Sequence, residues 1–300
     1  MDDFKTSDLK EYNNATSKSF FDNKNVNTLV NGYLETMAFA SNPEKQISFA
    51  ETFDELIANG NIYRGTYSGA FVTYLSAFEI PVAYFGPSSY SGGFTVVHEF
   101  GHYMNEIYND DQYTQSFDLL ETHSQGQEML YIQYAKNHLE GDALDLVETY
   151  HLLSTIQTIM LATQVDCFEQ AIYLNQYEGP GHEEIMADGK ITADEYDDVY
   201  AGLSEYLGID EAYRVDEYWR YVTISSPCYY ISYAVSGVNS LQIYVNVMND
   251  GYDSAKESYL KLFTYTDVDP EMTTEEILLY AGLTSYVDEA TFIKINTFLK

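Results

Sequence analysis

Two histidines four residues apart, with a glutamate directly after the first, stand in TVVHEFGHYMNE at 95–106. On a helix, four residues make one turn plus about 40°, so His98 and His102 share a face with Cβ atoms about 5–6 Å apart. Their imidazoles can converge on one ion at the bond lengths zinc prefers. Glu99 lies about 100° round from His98, placed to take the proton of a water held by that ion, the general-base role this pattern implies. The competing reading is two packed histidines beside an exposed acid, and five letters alone do not separate the two.

Catalytic zinc usually has three protein ligands and a water. Glu121, in FDLLETHSQGQEML at 117–130, follows His102 after 18 residues. The run NDDQ at 109–112 is a turn signal, so the flanking segments are expected to run antiparallel and return Glu121 to the level of His102. Ser124 lies one turn further on and Glu128 two turns, along the same side, suited to orienting the ligands. His123 is the rival third ligand, but it sits about 200° round the helix from Glu121 and reads as a core or surface histidine.

The elements that must hold these groups are mainly helical. Apolar spacings of three and four run through 25–40 and 46–60, the second closed by Asn59-Gly60. Further helices are expected over about 94–108, about 116–138 with Ser116 or Thr114 as cap, 142–177, and about 193–206 up to Gly208. The 142–177 segment is apolar enough to be central in a bundle. SSP (225–227), NDG (249–251) and DVDP (267–270) divide the remainder into several helices. Strands are expected only in 62–93, rich in Gly, Tyr, Val and Phe. The expected architecture is a mainly α, multi-helix catalytic unit over 1–300 with a small β element beside the HEFGH helix.

Composition narrows the function classes. There are 47 acidic residues against 14 basic ones, a formal charge of −33. That argues against nucleic acid, whose phosphates are bound by clustered Lys and Arg, and against an anionic membrane surface. It favours cationic ligands or metal ions. Cys167 and Cys228 fit no CxxC pattern and read as two reduced, buried thiols, with one disulfide as the alternative. The opening MDDFKTSDLKEYNN lacks the basic and apolar regions of a signal peptide, and no apolar run approaches a membrane span. A soluble protein is therefore expected, cytoplasmic, or extracellular if the N-terminus is truncated. EIMADGKITADE (184–195) has the outline of a calcium loop, but its first and third positions are Glu184 and Met186, and Met offers no hard oxygen. DGKIT reads as a turn, with Thr192 capping the helix that follows.

GTYSGAFVTYLSAFEIPVAYF, TVVHEFGHYMNE and LLETHSQGQEML together resemble the catalytic core of the thimet oligopeptidase/oligoendopeptidase F family of zinc metallopeptidases. That family has HEFGH or HELGH on one helix. Glu-x-x-Ser follows on the next helix, with a further Glu seven residues after the first, here Glu121, Ser124 and Glu128. SPCYYISYAVSG (226–237) resembles its Pro-aromatic-Tyr block, so the likeness covers about 50–300. It implies an α-helical ellipsoid split by a deep channel, with one zinc on the floor and short peptides as substrates. His98, His102 and Glu121 would bind the zinc and Glu99 would activate water. Tyr230 and Tyr233, with Tyr229, would contact substrate and the oxyanion, and the GAFVTY strand, with Gly69, Ala70 and Phe71, would pair with extended peptide.

Two departures from the family stand out. WRYVTISSP (219–227) lacks the histidine that usually precedes the Pro-aromatic block. Only 97 residues precede His98, where members carry several hundred that form the opposite wall of the channel. The resemblance thus implies a fragment, one piece of a split protein with a missing N-terminal half or partner chain, or a minimal version with an open cleft. Two other functions stay open. One is a zinc aminopeptidase, which can share the 18-residue gap, although its GAMEN-like signature is absent. The other is a non-catalytic or degenerate zinc- or peptide-binding module.

Overall fold

The computed structural model describes residues 23–41, 45–86, 93–108, 116–138, 143–209 and 218–299, and NDDQ and Thr114 lie outside them. The chain divides into two compact units, one of 1–151 with 239–300 and the other of 152–238.

In the first unit, helix α1 (Asn23–Thr36) leads into a hairpin of β1 (Ala38–Ser41) and β2 (Lys45–Ser48). This corrects the sequence reading, which placed strands only in 62–93. Phe39 and Ile47 face each other across the hairpin and are buried, while Ala40 and Gln46 are exposed. Four-residue strands show too few alternations to be told from a helix by periodicity. Ser48 then caps α2 (Phe49–Ala58) by accepting the Glu51 N–H at 3.3 Å. Asn59 closes that helix, and Gly60 follows at φ +72°, a conformation side chains disfavour.

The expected β element is a three-stranded sheet of β3 (Ile62–Arg64), β4 (Ala70–Leu75) and β5 (Ile80–Phe85), in the order β3-β5-β4. β3 runs parallel to β5 and β4 antiparallel to it, so among the described residues β4 is an edge strand. Gly69 O accepts the Gly86 N–H at 3.0 Å. The two-residue alternation of an antiparallel ladder then directs the backbone groups of Phe71 and Thr73 to β5, and those of Ala70, Val72 and Tyr74 to the open edge.

Two long helices follow at the bounds the spacing predicts, α3 (Phe94–Tyr108) and α4 (Phe117–His138). Ser116 caps α4, its Oγ accepting the Asp118 N–H at 3.2 Å. α4 is buried on nearly every side, including Leu119, Thr122, His123, Gly126, Met129 and Leu130. Two glycines permit this. A Cβ on Gly101 of α3 would lie 2.8 Å from both His123 O and Ser124 Cα. A Cβ on Gly126 would lie 2.8 Å from Ile243 and Tyr259 atoms.

α5 (Ala143–Leu174) starts in the first unit and crosses the division between the units. Its residues 153–161 are only partly buried, so the segment is less central than its apolar composition predicts.

The second unit adds α6 (His182–Ile185), a 3-10 turn at Ala193–Glu195, α7 (Tyr196–Tyr206) and α8 (Tyr218–Ser225) around a core that includes Val165, Phe168, Tyr200 and Val222. Thr192 forms a capping box with Glu195, whose Oε2 accepts from the Thr192 N–H and hydroxyl, both at 2.7 Å. Asp188 accepts the Lys190 N–H at 3.1 Å, so DGKIT is the expected turn. α9 (Ile231–Asp250) returns the chain to the first unit. There α10 (Tyr252–Leu260), a 3-10 turn at Lys261–Phe263, α11 (Tyr265–Val268), α12 (Thr274–Tyr280) and α13 (Glu289–Phe298) complete it.

The contact at Gly101 yields a direct test. Gly101→Ala should lower the unfolding free energy by about 1–3 kcal/mol, the usual cost of overpacking, read as a lower urea midpoint at constant slope. An unchanged midpoint would mean that the two helices do not pack this closely.

Candidate metal centre

α3 and α4 bring the predicted ligands together. His98 Nε2 lies 3.7 Å and His102 Nε2 3.6 Å from Glu121 Oε2. The ligand atoms of all three residues fall within 4.8 Å of one another. The imidazoles stand nearly perpendicular, at 81° with centroids 5.0 Å apart. Zinc bonds of about 2.0–2.2 Å in a tetrahedron place donors about 3.3–3.6 Å apart. The set therefore fits the ion in atom type and spacing.

The helix spacing that predicted Ser124 and Glu128 is also realised. Ser124 Oγ donates to Glu121 O at 3.0 Å and to Glu121 Oε2 at 3.3 Å. His98 Nδ1 meets Glu128 Oε1 at 2.5 Å. With a metal in place of the second proton, a proton kept on Nδ1 by Glu128 would leave the Nε2 lone pair on the side of Glu121. His123 is a packed histidine, as expected. Its Nδ1 lies 2.8 Å from Leu119 O and its Nε2 3.0 Å from Leu262 O, so both ring nitrogens are engaged.

Glu99 is 6% exposed, on α3 beside β4. Burial is the main force holding its carboxyl up at about 7, close to the value that suits a base at neutral pH. Its carboxylate accepts the backbone N–H of Val72, one of the β4 groups turned to the open edge. Burial pushes His98 down, but the Glu128 hydrogen bond and the charges of Glu128, Glu99 and Glu121 hold it up at about 10. Burial holds His102 down at about 4. The surroundings are strongly negative, a field that a divalent cation would neutralise.

The predicted substrate residues are placed differently from one another. Ala70 turns its backbone outward, Gly69 O is engaged by Gly86, and the exposed Phe71 ring stacks on Tyr84 at 5.1 Å. Tyr229, Tyr230 and Tyr233 belong to the second unit. There Tyr230 and Tyr218 share a hydroxyl hydrogen bond at 2.8 Å, and Tyr229 OH donates to Tyr233 OH at 3.3 Å. Both cysteines are free thiols, but Cys167 is half-buried and Cys228 exposed, which corrects the expectation of two buried ones. Cys228 takes φ +59°, and its N–H donates to both oxygens of the buried Glu169, at 3.0 and 3.1 Å.

Sequence reasoning missed two partners, Val72 of Glu99 and His151 of Glu128. His151 Nε2 stands 3.2 Å from Glu128 Oε2. Neither carries a local signal, because tertiary packing alone brings 72 to 99 and 151 to 128.

No family model and no curated protein matches the chain. Solved structures do. PZ peptidase A with inhibitor 2 superposes with a TM-score of 0.68 at 18% identity, over 93% of this chain and 48% of its own. The fold is that of the oligoendopeptidases. A Bacillus anthracis str. Ames protein assigned as an oligoendopeptidase F matches at 0.62 and 18% identity, over 91% of this chain and 46% of its own. A Chlamydophila abortus protein assigned as a peptidase matches at 0.59 and 18% identity, over 98% and 52%. The chain thus spans about half the length of the oligoendopeptidase-fold structures it matches. Among the described residues, no helix is long and apolar enough to cross a membrane.

The two histidine roles can be separated by mutation. His123→Ala should cost about 2–4 kcal/mol of stability, as a buried, hydrogen-bonded side chain does, yet leave the metal content measured by mass spectrometry unchanged. His102→Ala should empty the site. Loss of metal in both variants would make His123 a ligand.

Proposed function

We propose that the chain is a zinc-dependent metalloendopeptidase acting on short peptides. The observation that carries this reading is the convergence of His98, His102 and Glu121 next to a buried glutamate at an open strand edge. The oligoendopeptidase fold supports it, and so does the likeness to PZ peptidase A, a peptidase solved with an inhibitor.

When bound, zinc supplies Lewis acidity toward the scissile carbonyl and makes water a nucleophile near neutral pH. His98, His102 and Glu121 hold the ion, with Glu128 fixing the His98 ring and Ser124 the Glu121 carboxylate. An oligopeptide adds as a strand along β4, where the backbone groups of Ala70 and Tyr74 face outward. Glu99 accepts the proton of the attacking water and delivers it to the leaving amine, as general base and then general acid. Its burial and the Val72 N–H keep the carboxylate aimed and dry. Tyr230 and Tyr233, with Tyr229, keep the substrate and oxyanion role that the family resemblance gives them.

The purified protein should bind about one zinc per chain and cleave an internally quenched peptide. Glu99→Gln should retain the metal and lose at least about 100-fold in turnover. A wild type without metal would end the site assignment, and metal without hydrolysis would identify a binding module. Blocking the peptide's N-terminus should leave cleavage intact, whereas an aminopeptidase would stop. Tyr230→Phe should lower kcat/KM by about 100-fold with the metal retained, and an unchanged rate would remove Tyr230 from the machinery.

A further inference from the structure

We infer that His151 is a positioning residue of the metal centre, acting on the ligand His98 through Glu128. The inference rests on the metal-centre reading above. Glu128 has two oxygens, and a different histidine faces each. Oε1 takes His98 Nδ1 at 2.5 Å, and Oε2 takes His151 Nε2 at 3.2 Å. A single hydrogen bond would leave the carboxylate free to turn about its last bond. A hydrogen bond on one oxygen and a close polar contact on the other restrict its plane, and with it the direction from which His98 Nδ1–H must donate. The His98 Nε2 lone pair is thereby held toward Glu121 and His102.

The placement of His151 is itself determined by both ligand-bearing helices. Phe94, one turn before His98 and on the same face of α3, stacks on the His151 ring with centroids 4.7 Å apart and planes 21° apart. Phe94 in turn meets Tyr131 of α4 edge-on, at 5.3 Å and 82°. Tyr131 is fully buried and lies three residues after Glu128, so the stack is anchored in the core. His151 is thus set by α3 through Phe94 and in polar contact with α4 through Glu128. It belongs to neither helix and touches none of the three ligands in these contacts.

The role predicts a change in metal affinity that travels through Glu128. Zinc dissociation constants would be measured on the full chain by competition with a chromophoric chelator. The variants are His151→Ala, His151→Gln, Glu128→Ala and the double variant Glu128→Ala/His151→Ala. His151→Ala should weaken zinc about tenfold, the low end for groups that orient a ligand. His151→Gln, whose amide N–H can replace Nε2–H, should recover most of that loss. On the Glu128→Ala background, His151→Ala should change affinity much less than it does in the wild type, because Glu128 carries most of its effect.

Wild-type affinity in His151→Ala would overturn the proposal. So would equal losses in the Ala and Gln variants, or effects that multiply in the double variant. Should His151→Ala fail to fold, His151→Asn, polar but too short to reach Glu128, takes its place with the same expected weakening. A wild type that takes up no zinc would overturn the metal-centre reading and this role with it, an outcome distinct from a tight wild type with an indifferent His151.

Discussion

The site depends on how closely α3 and α4 approach each other. His98 and His102 sit on one helix and Glu121 on the other, so their convergence is a distance between two backbones before it is a matter of side chains. Gly101 lies between the two histidines in sequence, and any side chain there would meet the His123 carbonyl and Ser124 Cα at 2.8 Å. The His123 carbonyl is held from the other direction by the buried Tyr259 hydroxyl at 2.5 Å. Gly126 lets Ile243 and Tyr259 press equally closely on α4. The helix that supplies Glu121, Ser124 and Glu128 is therefore packed against backbone on one side and large side chains on the other. Its polar groups are correspondingly precise, because a well-packed element has few alternative positions.

Burial of so many polar groups in one helix would be costly without partners. Apart from the Gln127 amide, which is buried with no hydrogen-bond partner among the described residues, α4 satisfies them in different ways on different faces. Toward α3, Glu121, Ser124 and Glu128 engage each other and His98. Away from it, His123 lies between two carbonyls, and Thr122 accepts from Asn239 at 3.1 Å. This division sets the surroundings of His123 apart from those of His98 and His102. His98 and His102 keep a nitrogen directed at an acid that stands beyond hydrogen-bond range, at 3.6–3.7 Å. His123 has both nitrogens engaged.

The centre was the most legible part of the sequence, because its geometry is helical and local. A spacing of four places two histidines, and spacings of three and seven place Ser124 and Glu128 relative to Glu121. Helix ends at Asn59-Gly60, Ser116 and Gly251 were equally readable, since each stop or cap is a property of one or two residues. What escaped was set by tertiary contact. The β1–β2 hairpin was hidden by strands too short to show their period. His151 was hidden inside an apolar helix, and Val72 acts through a backbone N–H that no side-chain pattern encodes. Which backbone groups of β4 face outward follows from the pairing with β5, and the sequence of GAFVTY alone leaves that phase open.

The bond from Val72 to Glu99 gives the edge strand a second meaning. A strand is a ruler with a tick about every 3.3–3.4 Å, and here one tick is tied to the buried Glu99 carboxylate. Under the proposed function, a peptide laid along β4 is indexed against Glu99 by its backbone, in steps of two residues. The scissile bond would then be chosen by register first and by side-chain identity second. Such a device tolerates many sequences but only one direction and phase of entry, and it would be thrown out of step by a single inserted residue in β4.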